Sequence, residues 1–198
     1  MNTETLRDAG AACTEFLLAN ADEDWTVRPP DLEWTVAEVV AHIANTLLWY
    51  AVDFAGGKTE LSTTDITVGA TAEPRELVRS VSATVTLLSA VVTQSASDAR
   101  GWHPRGLADA SGFAAMACDE LFVHTSDAAR GLGVAFTAPA PATEATLRRL
   151  FPWAPEGGDP WQVLLWANGR IALPDRPRLE KWRWHCAPLS EWDGQMPG

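Results

Sequence analysis

Cysteine is scarce in this 198-residue chain: only Cys13, Cys118 and Cys186, with no C-x-x-C spacing among them. So few, scattered and odd in number, they exclude a disulfide framework and a thiolate zinc site, and they read as packing residues or inert surface thiols. Lysine is almost missing as well, since thirteen of the 15 basic residues are arginine, and 26 acidic residues leave a formal charge of -11. That balance offers no basic face, which argues against nucleic acid or an anionic membrane as partner. No run of 18 apolar residues occurs, so nothing is expected to span a bilayer. The opening Met-Asn-Thr-Glu-Thr-Leu-Arg-Asp lacks the basic start and apolar centre of a signal peptide, and the expectation is a cytoplasmic protein. There is no internal repeat.

What the chain does have is helical periodicity. Leu6, Ala9, Cys13, Phe16 and Leu17 predict a first helix over about Thr5 to Asn20. The Pro29-Pro30 stretch reads as a connection. Thr35-Val-Ala-Glu38 then forms a capping box for a second helix that stops at Gly56-Gly57. A polar loop over 58–72 precedes a third helix starting at Pro74, with Leu77, Val81, Val85, Leu88 and Val92 on one stripe. A break over 95–105 leads to a fourth helix over about Ala108 to Leu132, ending at Gly131 and Gly133. The expected fold is mainly α: a four-helix bundle over 1–137, with a short extension over 138–198.

The extension is written differently. Six of the ten tryptophans lie in the last fifty residues. Short helices are expected around Thr143–Leu150 and Pro160–Ala167. The partial alternation of 170–173 and 179–186 suggests a small β-hairpin, while Pro174 and Pro177 argue for an edge or an irregular coil. Aromatics interleaved with arginine could stack on nucleic-acid bases, but in so acidic a chain they are better read as a cover over the bundle.

Glu120 and His124 carry the chemistry. A spacing of four puts both on one face of the fourth helix, where Phe113, Ala117, Leu121 and Ala128 make the stripe mostly apolar. A carboxylate buried there has to be paired, protonated or metal-bound. The residues alone leave open a simple Glu120–His124 pair, an interior polar network, or a metal site completed by His42 from the second helix. On its own helix His42 sits at the margin of the apolar stripe, which suits a pocket wall or a surface. Asp119, Phe122, Ser126 and Ala129 fall on the opposite side of the fourth helix.

Two segments resemble a known family. Trp34-Thr-Val-Ala-Glu-Val-Val-Ala-His42 is similar to the W-s-v-x-x-v-x-x-H opening of the second helix in the DinB-like superfamily. Glu120-Leu-Phe-Val-His-Thr-Ser-Asp-Ala-Ala-Arg-Gly-Leu-Gly133 resembles the E-x-x-x-H-x-W-D-x-A-x-x-x-G segment of its mycothiol-dependent maleylpyruvate isomerase branch. The resemblance spans roughly residues 5 to 135. It implies a DinB-like four-helix bundle with a divalent metal, usually zinc, held by the residues matching His42, Glu120 and His124. Ser126 stands where that branch has tryptophan, and the tail is shorter than the α/β C-terminal domain of the family's isomerase. An arginine of that domain assists catalysis; Arg170, Arg176, Arg178 and Arg183 lie in the corresponding half.

Three protein ligands with open positions make a catalytic zinc site, although the same set suits ferrous iron, and nickel and manganese also fit. A thiol or water bound there loses its proton near neutral pH. The implied cofactors are therefore the metal and a low-molecular-weight thiol such as mycothiol. The implied activity is a thiol-using transferase or isomerase acting on a small electrophilic substrate. The alternatives are a non-catalytic metal- or small-molecule-binding bundle and a structural bundle with a polar cluster.

Around this set, Asp127 either orients His124 or pairs with an arginine. His103 reads as a surface loop residue, and His185 reaches the site only if the tail closes over the bundle mouth. Trp34, Trp49 and Trp102 read as core packing ahead of pocket lining. Nothing in the sequence specifies an oligomeric state.

Overall fold

The computed structural model describes residues 1–197, and among them the regular structure is entirely helical. The helices are α1 (Thr3–Ala19), α2 (Val36–Gly56), α3 (Pro74–Gln94), α4 (Ala110–Gly131), α5 (Ala140–Leu150) and α6 (Pro160–Ala167), followed by a 3-10 turn at Leu189–Glu191. Local chemistry sets the starts. Asn2 Oδ1 accepts from Thr5 N at 2.9 Å. Thr35 and Glu38 close their capping box at 3.2 and 2.7 Å, and Asp109 accepts from Gly112 N at 2.8 Å. Each bond satisfies an amide that the first turn leaves without a partner.

Helices α1 to α4 make the bundle, with α2 and α1 each packed on both α3 and α4. Leu6, Leu17, Ile43, Leu47, Leu77, Leu88, Met116 and Leu121 are fully buried between them. Helix α3 is apolar and long enough to cross a bilayer by length and composition alone. It is amphipathic, with Val81, Val85 and Leu88 turned to α1 and α2 and Leu87 turned out.

Helix α4 departs from the one-sided wheel. Asp119, Phe122, Ser126 and Ala129, expected on its outer side, are buried along with the inner stripe. The extension supplies the cover, with α5 lying against α4 and α6 against α5. Arg149 of α5 fastens it. Its guanidinium donates to Asp109 Oδ1 (2.6 Å), Ser111 Oγ (2.8 Å) and the carbonyls of His185 (3.1 Å) and Cys186 (2.9 Å). Charge-assisted bonds of this kind hold an irregular segment in place without a sheet.

The hairpin does not form. Among the described residues the 170–186 stretch reduces to one bridge, Leu173 to Arg176, closing a tight turn over Pro174 and Asp175. Pro174 and Pro177 lack the amides a ladder needs, and Trp182 and Trp184 are spent on packing. The coil reading of this stretch is the one realised.

All three cysteines are free and buried. Burial pushes the Cys13 thiol up to about 12 and the Cys186 thiol up to about 11, as expected of packing residues.

Candidate metal centre and cleft

His42 on α2 and Glu120 and His124 on α4 meet where those helices face each other, and one ligand atom from each lies within 4.8 Å of the others. Glu120 Oε2 is 3.1 Å from His124 Nε2 and 3.4 Å from His42 Nε2. Both contacts lack hydrogen-bond alignment, so this buried oxygen has no hydrogen-bond partner. The other oxygen is satisfied, accepting from Tyr50 Oη at 3.3 Å. A buried carboxylate oxygen without a donor is costly, and here two imidazole nitrogens converge on it as well. One carboxylate and two imidazoles aimed at a common point are the donor set of a divalent transition metal. The residues fit the ion.

The fourth helix brings its own support. Asp127, less than one turn after His124, places Oδ2 3.2 Å from His124 Nδ1. A carboxylate there favours the proton on Nδ1 and leaves the Nε2 lone pair for a metal. Asp127 is in turn gripped by Arg170, whose Nε and Nη2 donate to its carboxylate at 3.1, 3.2 and 2.8 Å. The two readings of Asp127 are thus one arrangement, and Arg170 is the tail arginine that the fold brings to the centre. Burial opposes charge on His124, but Asp127 and Glu120 outweigh it and hold the imidazole up at about 9. Burial would likewise raise Glu120, and the two imidazoles standing beside it, His124 and then His42, instead hold it far below the carboxylate range.

The remaining histidines do not join the triad. His185 is buried under the tail, with its amide donating to Leu150 O at 2.8 Å and Nε2 3.1 Å from Pro188 O. His103 is a correction, because it is buried and not on the surface. Gly101 draws it in. A Cβ there would sit 2.6 Å from Phe54 Cα and 2.7 Å from Phe113 Cε2, so only glycine lets the 101–108 turn lie against α2. Trp102 N then donates to Gly57 O at 2.7 Å, and the His103 ring packs on Tyr50 and Trp184.

Burial drives His103 down to about 4, overriding the opposing pull of Glu120. The unfolded chain therefore takes a proton near 6.5 that the folded chain refuses until about 4, and stability is lost as pH falls between the two. The loss is about 3 kcal/mol, and His103→Asn, which keeps an acceptor for Arg105 N, is expected to remove it. Urea titrations of the metal-free wild type and variant at pH 7 and pH 4 check this; equal pH dependence in the two would contradict it.

His42 and Glu120 of this candidate triad open into a cleft of about 770 Å³, lined also by Thr46, Trp49, Tyr50, Asp53, Glu60, Trp102, His103, Arg105 and Trp184, among others. The core-packing reading of three tryptophans is overturned. Trp49 and Trp102 are half-buried cleft walls, and Trp34 is exposed with its ring 4.9 Å from that of His42.

Sequence reasoning passed over two contributors. One is Tyr50, the only tyrosine, whose place on the His42 helix was a usable signal. The other is Asp119, which accepts from Asn168 Nδ2 (2.8 Å) and Trp184 Nε1 (3.0 Å). Burial first, then the Glu120 charge, raises it to about 7. No spacing rule links it to donors forty-nine and sixty-five residues away.

Among known proteins, the family model for the mycothiol maleylpyruvate isomerase N-terminal domain matches residues 6–129. No curated protein and no solved structure gives a match.

Proposed function

The chain belongs to the mycothiol maleylpyruvate isomerase N-terminal domain family, and from that premise we propose that it is a divalent-metal-dependent, thiol-using transferase or isomerase acting on a small electrophilic substrate. The observation that carries this reading is Glu120 Oε2, buried without a donor between two imidazole Nε2 atoms at the wall of an open cleft. His42, Glu120 and His124 would hold the metal, zinc being the first candidate by donor type. Bound there, the ion would supply Lewis acidity and stabilise the thiolate of a low-molecular-weight thiol such as mycothiol.

The chain's own residues do the positioning. Tyr50 fixes one oxygen of Glu120 by donation, which turns the other toward the imidazoles. Asp127, beside His124 Nδ1, favours a proton there, so that Nε2 is the nitrogen His124 would present to a metal. Trp49, Trp102 and Trp184 supply apolar walls against which a small organic substrate can pack. His103 accepts from Arg105 N through Nδ1 and stays neutral at pH 7, so it contributes a ring N–H and no charge. Arg105 adds a cation to the lining.

The test is a screen of small thiols against electrophilic acceptors with the metal-loaded chain. Many acceptor molecules are expected to be converted per chain, with loss on chelation and recovery on metal return. If metal is held but conversion never exceeds one acceptor per chain, the protein is a binding bundle and the enzymatic reading fails.

A further inference from the structure

The cleft has a second polar end, which the metal triad does not use. Asp53 lies on the same face of α2 as His42, Thr46 and Trp49, eleven residues after His42 and so about 16 Å along the helix axis. Its residue surface is only 7% exposed, yet its carboxylate makes no hydrogen bond and no ion pair within the described residues. Burial, then the nearby Glu60 charge, raises its pKa. Glu60 lines the same cleft and has no basic partner either. In a chain where Asp109, Asp119 and Asp127 are each met by donors, a largely buried carboxylate that faces the cleft and meets no protein donor marks a place where a donor arrives from outside.

The surroundings say what kind of donor. Trp49 stands one turn before Asp53 on α2, and Trp102 is tied to the end of α2 by its bond to Gly57 O. Leu61 packs against Gly56 and brings the loop that carries Glu60 to the same end. Two carboxylates beside two indole rings suit an organic cation, because carboxylates take its N–H groups and ring faces attract its charge. A hard metal ion would want six or more oxygen ligands, whereas aromatic and aliphatic groups occupy much of this wall.

We propose that Asp53 and Glu60, with Trp49 and Trp102, form an ammonium-binding subsite, so that the molecule filling the cleft carries an amine at the end remote from the metal triad. This inference rests on reading the cleft as the substrate site, but not on the metal. It narrows the substrate class to elongated molecules with a cationic nitrogen about three helical turns from the reacting centre.

Hexylammonium is the probe and hexan-1-ol its neutral control, each titrated calorimetrically at pH 7.5 into the full chain. Hexylammonium is expected to bind about ten-fold more tightly or better, given the charge-assisted and cation–π contributions. Asp53→Asn and Glu60→Gln are each expected to erase most of that preference while leaving hexan-1-ol binding in place. Glu60 is exposed, so its variant reports even if Asp53→Asn folds poorly. Equal affinity for amine and alcohol overturns the subsite, as does a preference that survives both substitutions. Metal content is measured separately on the same protein. A chain that binds metal but not amine refutes this subsite alone, and one that binds amine but no metal refutes the metal centre alone.

Discussion

His124→Ala is expected to leave the chain unable to hold a divalent ion, and thermal unfolding should show it as clearly as metal analysis. In the wild type, free zinc at about a thousand times its dissociation constant stabilises the folded state by about 4 kcal/mol. For a chain of this length that is a rise in Tm of roughly ten degrees, reversed by chelator. The variant keeps Glu120 and His42, but two donors on opposite helices do not make a stable site, and the zinc-dependent rise should vanish. Metal-free, the variant is also weaker than the wild type by about 3 kcal/mol. Glu120 and Asp127 stay buried after losing the imidazole between them.

The sign of the pH dependence follows from the same contacts. Without metal, His124 carries its second proton up to about 9, and an ion must displace that proton to reach Nε2. Uptake should therefore release a proton, and apparent affinity should fall as pH drops below 9. Calorimetry in buffers of different ionisation enthalpy counts the proton. Zinc uptake and thermal shift in His124→Ala equal to wild type would refute the ligand assignment.

The second large effect concerns a residue that never touches the metal. Arg170→Ala is expected to weaken metal binding about ten- to a hundred-fold, the usual cost of removing an outer partner of a metal-binding histidine. In the folded chain Arg170 shares the Asp127 carboxylate with His124. Without the guanidinium, only Arg130 at 3.9 Å still shares the Asp127 carboxylate, so its charge acts more strongly on His124, favours the doubly protonated ring, and makes the metal compete with a more tightly held proton. The deficit should therefore grow as pH falls, which a purely structural loss would not produce. Arg170→Lys should rescue only part of it, since an ammonium cannot reproduce the forked grip on both oxygens. Competition against a chromophoric chelator at pH 6.5 and 8.5 reads both effects. Affinity equal to wild type at both pH values would show that the tail has no hold on the centre.

These two expectations mark where sequence reading succeeds and where it stops. The capping box at Thr35, Pro74 at a helix start and Gly56-Gly57 at a helix end are local devices, and the structure places helix ends beside them. The pairing of Glu120 with His124 is also local, because one turn of helix brings the two together. His42 needed a second helix, and its candidacy came from the Trp34-to-His42 motif more than from the pattern on its own helix. Asp127 could be seen beside His124, but its arginine could not be chosen from four.

Helix α4 shows the physical reason. Its sequence carries a stripe for the bundle interior and an opposite side holding Asp119, Phe122 and Ser126. A wheel drawn for four helices sends that side to solvent. The extension returns over it instead, fastened by Arg149 and sealed by Trp184 and Asn168 on Asp119. Capping and helical periodicity act within a few residues, so the helices, their ends and the Glu120–His124 face are legible in the chain alone. Contacts across forty or more residues depend on how the chain closes. That Arg170 reaches Asp127, that His103 is drawn inside, and that Asp53 faces the cleft without a protein donor follows only once the chain has closed.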